Sequence, residues 1–182
     1  MKINRAVFLD RDGVINQAVV RNGQPFPPAN ANELKFFPDV VEACDLLKAN
    51  GFLLVVVTNQ PDVGRGTTDQ KRVEEINRKI SDSLPIDRIE VCYECDDSSE
   101  DRKPNPGMLK RAADELDVDL SQSFMVGDRW RDIDCGHAAG CQTIFIDHGY
   151  SEALKKGPHH RVKNLLEAAH IIVGVAAATA KE

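Results

Sequence analysis

The segment Ala6–Leu9 is uninterruptedly apolar and runs directly into two carboxylates, Asp10 and Asp12. A short run of this kind is typical of a strand that is buried on both faces of a parallel sheet. Because a buried carboxylate is costly, the chain must leave the sheet where the acids begin, and Gly13 permits a sharp exit. Ligands of open α/β sheets bind beyond the carboxyl ends of the strands, so the two acids are predicted to lie in a catalytic site.

Similar apolar runs alternate with helical patterns along the whole chain. The predicted strands are Ala6–Leu9, Phe52–Val57, Ile89–Val91, Phe124–Val126 and Thr143–Ile146. The predicted helices are Asp39–Asn50, Thr68–Leu84, Pro106–Leu116, Arg131–Ala139 and Val162–Val173. This alternation predicts an α/β fold, with a central parallel sheet of about five strands covered by helices.

Two segments interrupt the alternation. Residues 17–38 contain the turn dipeptide Asn22-Gly23, and Pro25, Pro27 and Pro28 break any regular element; together they predict a small flap over the site. Residues 92–105 are polar and form a predicted surface loop near a strand end. A chain of 182 residues is long enough for one well-buried domain, and we expect residues 1–182 to form a single one.

Composition and charge argue against several classes of protein. The net charge of −6 argues against a nucleic-acid-binding surface, and no apolar segment is long enough to span a membrane. The first predicted strand begins so early that we expect no signal peptide, and five cysteines are an odd number for a disulfide framework. These features predict a cytoplasmic protein, and we expect a monomer.

Polar residues follow the other predicted strands and precede the third helix. They are Thr58 and Asn59, Asp128 with Asp132, and Arg102 with Lys103. Clustered carboxylates repel one another unless a cation shares them, and their hard oxygens suit Mg²⁺. A carboxylate can attack phosphorus while a second acid protonates the leaving oxygen, and hydroxyl, amide and ammonium donors can hold phosphoryl oxygens. The set therefore favours phosphoryl transfer.

In this order, the residues resemble the four motifs of the haloacid dehalogenase-like phosphatase superfamily. The motifs are matched by Asp10-Arg11-Asp12-Gly13-Val14, Thr58, Lys103, and Gly127-Asp128 followed by Asp132. The resemblance covers nearly the whole chain and implies a three-layer α/β/α Rossmann-like fold. It implies that Asp10 is the nucleophile and Asp12 the general acid and base. It also implies phosphate binding by Thr58 and Lys103, and Mg²⁺ binding by Asp10, the Asp12 backbone carbonyl and Asp128. The Asn59 amide either binds phosphate or braces a loop, and Asp132 is expected to position Lys103 or a metal-bound water.

Four sequence segments resemble the motifs of subfamily IIIA, the group of histidinol phosphatases and D-glycero-D-manno-heptose 1,7-bisphosphate phosphatases. They are LDRDGVIN, VVVTNQ, RKPNPGML and MVGD. These enzymes lack a large cap domain, and the short spacers between the motifs here agree. In that group, the arginine of the RKP motif and a basic residue after Gly-Asp contact substrate. Arg102 and Arg129 hold these positions, and Arg65 is a further candidate.

The chain departs from the group at two places. Only Cys92 and Cys95 remain where the heptose enzymes carry a four-ligand zinc loop, so zinc is not expected. The segment Gln17–Arg21 lacks the polar and aromatic run expected for heptose recognition. The predicted function is Mg²⁺-dependent hydrolysis of a small phosphorylated metabolite, such as the heptose bisphosphate. The alternatives are a histidinol-phosphate phosphatase and a catalytically weak phosphate-binding module.

Overall fold

The computed structural model describes residues 3–179. Its strands are β1 (Arg5–Leu9), β2 (Val19–Arg21), β3 (Gln24–Phe26), β4 (Phe52–Asn59), β5 (Arg88–Cys92), β6 (Phe124–Gly127), β7 (Gln142–Ile146) and β8 (His160–Val162). Its helices are α1 (Val40–Ala49), α2 (Pro61–Gly64), α3 (Gln70–Ser83), α4 (Gly107–Glu115), α5 (Trp130–Ala139) and α6 (Leu165–Thr179), with a 3₁₀ turn at Leu120–Gln122.

Six strands form one parallel sheet in the order β5-β4-β1-β6-β7-β8. Strand β1 is buried on both faces: Val7 and Leu9 pack into the core shared with α1, α3 and α6. Ala6 and Phe8 face the opposite core, which α4 and α5 cover. The predicted three-layer α/β/α architecture is confirmed.

All five predicted strands are present, but the sheet has a sixth, β8, which the sequence analysis missed. Its sequence His-Arg-Val has a single buried apolar residue, so it gives no apolar run. The last helix was therefore predicted with wrong bounds, since the prediction begins it at Val162 and ends it at Val173. Helix α6 begins at Leu165, where the Asn164 side chain accepts a hydrogen bond from the Glu167 amide (2.8 Å). Within residues 3–179, no helix has the length and apolarity needed to cross a bilayer.

The sheet order fixes where a ligand can bind. After β1 the chain passes to β4 and β5 on one side, then returns to β6, β7 and β8 on the other side. Helices that connect strands in opposite directions from β1 leave a crevice at its carboxyl end. The two predicted catalytic acids, Asp10 and Asp12, begin at this point of the sheet.

The flap contains the predicted hairpin. Strands β2 and β3 pair antiparallel around Asn22 and Gly23, whose φ angles are +50° and +73°. Two successive positive φ angles define the type I′ turn that matches the twist of a two-residue hairpin. Beyond the turn, Pro25, Phe26 and Pro27 line the cavity that also contains Asp10 and Asp12.

Candidate active site

Three neighbouring strands end in polar side chains at one edge of the sheet. Asp10 follows β1, Thr58 and Asn59 end β4, and Asp128 follows β6. The cavity at this edge, here called the central cavity, is lined by Asp10, Asp12, Thr58, Asn59, Lys103 and Asp132. The structure thus brings together residues that are up to 122 positions apart in the chain, counting from Asp10 to Asp132.

Lys103 is the cation at the centre of this cavity, and it is 2% exposed. Its ammonium group donates to the Asp10 carboxylate (2.6 Å), the Asp132 carboxylate (2.7 Å) and the Val57 carbonyl (2.8 Å). Burial disfavours the charged form, but the two carboxylates outweigh burial and raise the pKa of Lys103. Lys103 therefore remains protonated and fixes the position of Asp10.

Three carboxylates crowd around this ammonium. One oxygen from each of Asp10, Asp128 and Asp132 lies within 4.8 Å of the others. Burial raises the pKa of Asp10 to about 6, with Lys103 opposing the shift and Asp132 adding to it. Burial, followed by the charges of Asp10 and Asp132, raises the pKa of Asp128 well above its usual value. So much negative charge in a buried site calls for a further cation.

The hydrogen bonds indicate which carboxylates are available to a metal ion. Both oxygens of Asp132 are engaged, one with Lys103 and the other with the Arg129 amide (3.0 Å). Both oxygens of Asp128 are buried, and neither accepts a hydrogen bond of normal geometry from the described residues, although the Tyr150 hydroxyl lies close enough to lower the pKa of Asp128. Such atoms are rarely left unpaired, and hard carboxylate oxygens suit Mg²⁺. The residues present therefore fit the predicted metal site, with Asp128 as its most available ligand.

Gly13 is required by the close approach of the first motif to Asp128. Its φ is +100°, and a Cβ atom at this position would lie 1.9 Å from an Asp128 carboxylate oxygen. Any side chain here would displace the carboxylate as well as strain the backbone. The glycine therefore allows the loop after β1 to pack directly against the predicted metal ligand.

Asp12 is held by residues that the sequence analysis did not assign. Arg11 donates to one Asp12 oxygen through Nε (3.1 Å) and Nη2 (2.9 Å), and Gln60 donates to the same oxygen (2.9 Å). Asn16 donates to the other oxygen (2.9 Å). Arg11 is fully buried and reaches Asn77 on α3 (2.9 Å). This network fixes the carboxylate beside the cavity without making it inaccessible.

Thr58 and Asn59, the two side chains at the end of β4, make different contacts. The Thr58 hydroxyl accepts a hydrogen bond from Gln60 (2.8 Å), which joins it to Asp12 through one amide group. Asn59 donates to the Lys103 carbonyl (3.0 Å) and accepts from the Lys103 amide (3.1 Å). Asn59 thus braces the loop that carries the lysine, while its contact with phosphate stays a prediction.

A second cavity, here called the arginine cavity, adjoins the first. Four arginines line it, namely Arg65, Arg102, Arg129 and Arg131. Arg129 and Arg131 line both cavities, so the two spaces are immediate neighbours. The three predicted substrate-contacting arginines meet here. Arg131 was missed, although it stands only three residues after Asp128 at the start of α5.

Each arginine of this cavity has a carboxylate partner. Arg129 donates to Glu152 through two nitrogens (2.7 and 2.8 Å), and this pairing raises the pKa of Arg129. Arg65 pairs with Asp62 at 3.0 Å. Arg102 and Arg131 share a single carboxylate, that of Asp97, at 2.8 and 3.1 Å. Four cations face three acids, so the cavity keeps excess positive charge for an anion.

The segment after β7 contacts the site, although the sequence analysis assigned it no role. His148 lies with Nε2 2.7 Å from the Gly13 carbonyl oxygen, and its ring stacks on Phe37. Glu152 pairs with Arg129, and the Ser151 hydroxyl donates to the Gly23 carbonyl in the flap (3.3 Å). This segment therefore supports the first motif and one arginine while also contacting the hairpin turn.

The two cysteines of the shortened loop lie in different environments. Cys92 is buried at the end of β5, and Cys95 is exposed. Burial raises the pKa of the Cys92 thiol, which disfavours the thiolate form that zinc requires. The expectation that zinc is absent stays a prediction.

Comparison with known proteins places the chain among phosphatases. Residues 101–168 match a family model described as HAD-hydrolase-like. The D-glycero-alpha-D-manno-heptose-1,7-bisphosphate 7-phosphatase of Burkholderia mallei is 36% identical, with 79% of each chain covered. The D-glycero-beta-D-manno-heptose-1,7-bisphosphate 7-phosphatase of Pasteurella multocida is 31% identical over 95% of this chain and 99% of its own.

A solved structure resembles the whole fold. It is the D,D-heptose 1,7-bisphosphate phosphatase from B. bronchiseptica, complexed with magnesium and phosphate. It aligns with a TM-score of 0.80 and 28% identity, and the alignment covers 94% of this chain and 99% of that one. The chain therefore belongs to the haloacid dehalogenase-like phosphatase superfamily and, within it, to the group of the heptose 1,7-bisphosphate phosphatases.

Proposed function

We propose that this chain is a magnesium-dependent enzyme that removes the 7-phosphate from D-glycero-D-manno-heptose 1,7-bisphosphate and acts as a cytoplasmic monomer. The observation that carries the substrate proposal is that the central cavity lies directly beside the arginine cavity and shares Arg129 and Arg131 with it. The central cavity offers Asp10 and Lys103 to the phosphate that is cleaved. The arginine cavity offers positive charge to a second phosphate on the same small molecule. The names of the relatives support the same substrate.

The first chemical step uses Asp10 as the nucleophile. Its carboxylate oxygen forms a bond to phosphorus while the bond from phosphorus to the sugar oxygen breaks. Asp12 gives its proton to the departing sugar oxygen, so an alcohol leaves and an aspartyl phosphate remains. The ammonium of Lys103 and the Thr58 hydroxyl stabilise the charge on the phosphoryl oxygens.

The second step reverses the role of Asp12. Its carboxylate, now deprotonated, takes a proton from water as the water oxygen attacks phosphorus. The bond between phosphorus and the Asp10 oxygen breaks, which regenerates the nucleophile and releases inorganic phosphate. Arg11 and Gln60 hold Asp12 in place through both steps, because each donates to its carboxylate at 2.9 Å.

Three groups would hold the magnesium ion, namely the Asp10 and Asp128 carboxylates and the backbone carbonyl of Asp12. When bound, Mg²⁺ supplies positive charge that reduces the repulsion between the carboxylates and the substrate phosphate. Asp132 orients Lys103 and the backbone after Asp128 through its two hydrogen bonds. The Asp128 oxygens, which accept no hydrogen bond of normal geometry from the described residues, would then be satisfied.

Magnesium is expected to stabilise the protein more at pH 8 than at pH 5. The folded metal-free protein retains protons on Asp10 between about pH 4 and 6 that the unfolded chain releases, because burial raises this pKa from 3.8 to about 6. Its stability therefore falls as pH rises through that window, whereas Mg²⁺ needs the ionised carboxylates. At pH 8 saturating Mg²⁺ should raise the melting temperature by about 5–10 °C relative to EDTA.

The control for this measurement is Asp128→Asn, which removes the least engaged carboxylate while keeping its shape. The variant should lose most of the shift in melting temperature on adding Mg²⁺. An equal shift at pH 5 and pH 8 in the unaltered protein would contradict the assigned site.

Substrate preference tests the proposed function directly. We expect kcat/KM for the heptose bisphosphate to exceed that for histidinol phosphate by about 100-fold or more. Histidinol phosphate carries a cationic amine where the bisphosphate carries its second anion, and the arginine cavity repels that cation. Phosphate release from both compounds, with Mg²⁺ present, gives the ratio. Comparable values would favour the histidinol-phosphate alternative, and no release from either would favour a binding module.

A further inference from the structure

The loop of residues 92–105 carries an unusual arrangement of charge. Asp97 accepts hydrogen bonds from Arg102 Nε (2.8 Å) and from the two terminal nitrogens of Arg131 (3.1 and 3.5 Å). The Asp97 side chain is 67% exposed, whereas that of Arg102 is only 7% exposed. An exposed carboxylate thus joins two guanidinium groups that come from separate elements, the loop before α4 and helix α5.

Surface ion pairs contribute little to stability, so the contacts of Asp97 affect the two arginines more than they affect folding. Arg102 and Arg131 both line the arginine cavity, and two adjacent cations would otherwise repel each other into different conformations. Hydrogen bonds from Arg102, and then from Arg131, hold the pKa of Asp97 below its usual range. The carboxylate is therefore ionised whenever the enzyme works near neutral pH.

Other contacts fix the two arginines only in part. Arg102 also donates to the Glu94 carbonyl (3.1 Å), and Arg131 donates to the Lys103 carbonyl (3.2 Å). Asp97 is the group that contacts both guanidinium groups, so it sets their separation. A planar guanidinium that is already oriented loses less entropy when it binds a phosphate.

We propose that Asp97 is a positioning residue for substrate recognition, which holds Arg102 and Arg131 side by side to receive the second phosphate of a bisphosphate substrate. The inference rests on the proposed function, and it names a residue that determines the selectivity of the enzyme for a bisphosphate over a monophosphate.

Asp97 has two opposing effects on the affinity for the second phosphate. As an anion near the cavity it weakens attraction of any phosphate, so its removal should tighten binding if charge alone matters. As a positioning group it preorganises two cations, so its removal should weaken binding of the second phosphate. Loss of affinity on substitution therefore identifies positioning, and gain of affinity identifies simple repulsion.

The substitution should leave the loop backbone in place. The Asn105 side chain donates to the carbonyls of Asp97 (3.1 Å) and Ser99 (2.8 Å), so the backbone is held independently of the carboxylate. Asp96 is a matched control: it is exposed, adjacent and acidic, but its carboxylate accepts from the Ser98 amide (2.9 Å) and contacts no arginine among the described residues.

The experiment compares Asp97→Asn, Asp97→Ala and Asp96→Asn on two substrates, the heptose 1,7-bisphosphate and the heptose 7-phosphate. We expect Asp97→Asn to raise KM for the bisphosphate about 5- to 10-fold, and Asp97→Ala at least as much. For both variants, kcat on either substrate and KM for the monophosphate should change by less than about twofold. Asp96→Asn should match the unaltered enzyme. Circular dichroism melting curves establish that all three variants fold.

The outcomes separate the inference from the proposed function. If the unaltered enzyme binds both sugars equally, the second phosphate has no subsite, and the proposed substrate and the inference are both wrong. If the unaltered enzyme favours the bisphosphate and both Asp97 variants keep or strengthen that preference, the inference alone is wrong. A fall in kcat on both substrates would also overturn it, because that result indicates general disruption of the site.

Discussion

Replacement of Asp10 by asparagine is expected to lower kcat by about 10⁴-fold or more. An amide oxygen is too weak a nucleophile to attack phosphorus, so the aspartyl phosphate cannot form. Asparagine has nearly the same shape as aspartate and can still accept the hydrogen bond that Lys103 donates at 2.6 Å. Phosphate release from the heptose bisphosphate in the presence of Mg²⁺ measures the effect.

The control for this variant is Asp69→Asn, which makes the same chemical change at an exposed position. Asp69 caps helix α3 by accepting from the Lys71 amide (2.9 Å), and asparagine caps helices equally well. This variant should keep the activity and melting temperature of the unaltered enzyme. Full activity in Asp10→Asn would show that another group attacks phosphorus.

The part of the site that the strand pattern alone located is the part built on β1, β4 and β6. These strands are buried on both faces, so each appears in the sequence as an apolar run, and the polar residue that ends the run is easily located. Asp10, Thr58 and Asp128 are all found in this way. Parallel strands bring such positions to one edge, which is why the central cavity follows from the order of elements.

The residues that sequence reasoning missed act through side chains from distant segments. Glu152 pairs with Arg129 across 23 positions, and His148 contacts the Gly13 carbonyl across 135. Neither lies in an apolar pattern. His148 follows the end of β7 by two residues, a position at which the sequence analysis assigned no residue, and Glu152 lies further along the same segment. Asp97 is similar, because an acidic loop residue is ordinarily a solvated charge until the structure places two arginines around it.

Replacement of Lys103 by methionine is expected to impair stability and catalysis together. Methionine fills the space of the lysine stem but leaves Asp10 and Asp132 buried without their shared cation. Breaking a buried pair in this way should lower the free energy of unfolding by about 3–5 kcal/mol in the metal-free protein. The loss of a positive charge beside the phosphoryl oxygens should lower kcat by about 10²- to 10³-fold.

Urea denaturation in EDTA, and again with saturating Mg²⁺, separates the two roles of Lys103. Magnesium should restore part of the lost stability, because it also neutralises the buried carboxylates, but it should restore little of the lost kcat. Lys110→Met, an exposed position on α4, makes the same substitution away from the site and should change neither quantity. Unchanged unfolding and turnover in Lys103→Met would mean that the carboxylate cluster needs no internal cation. The 2.6 and 2.7 Å bonds from a single buried ammonium to two acids argue for the opposite result.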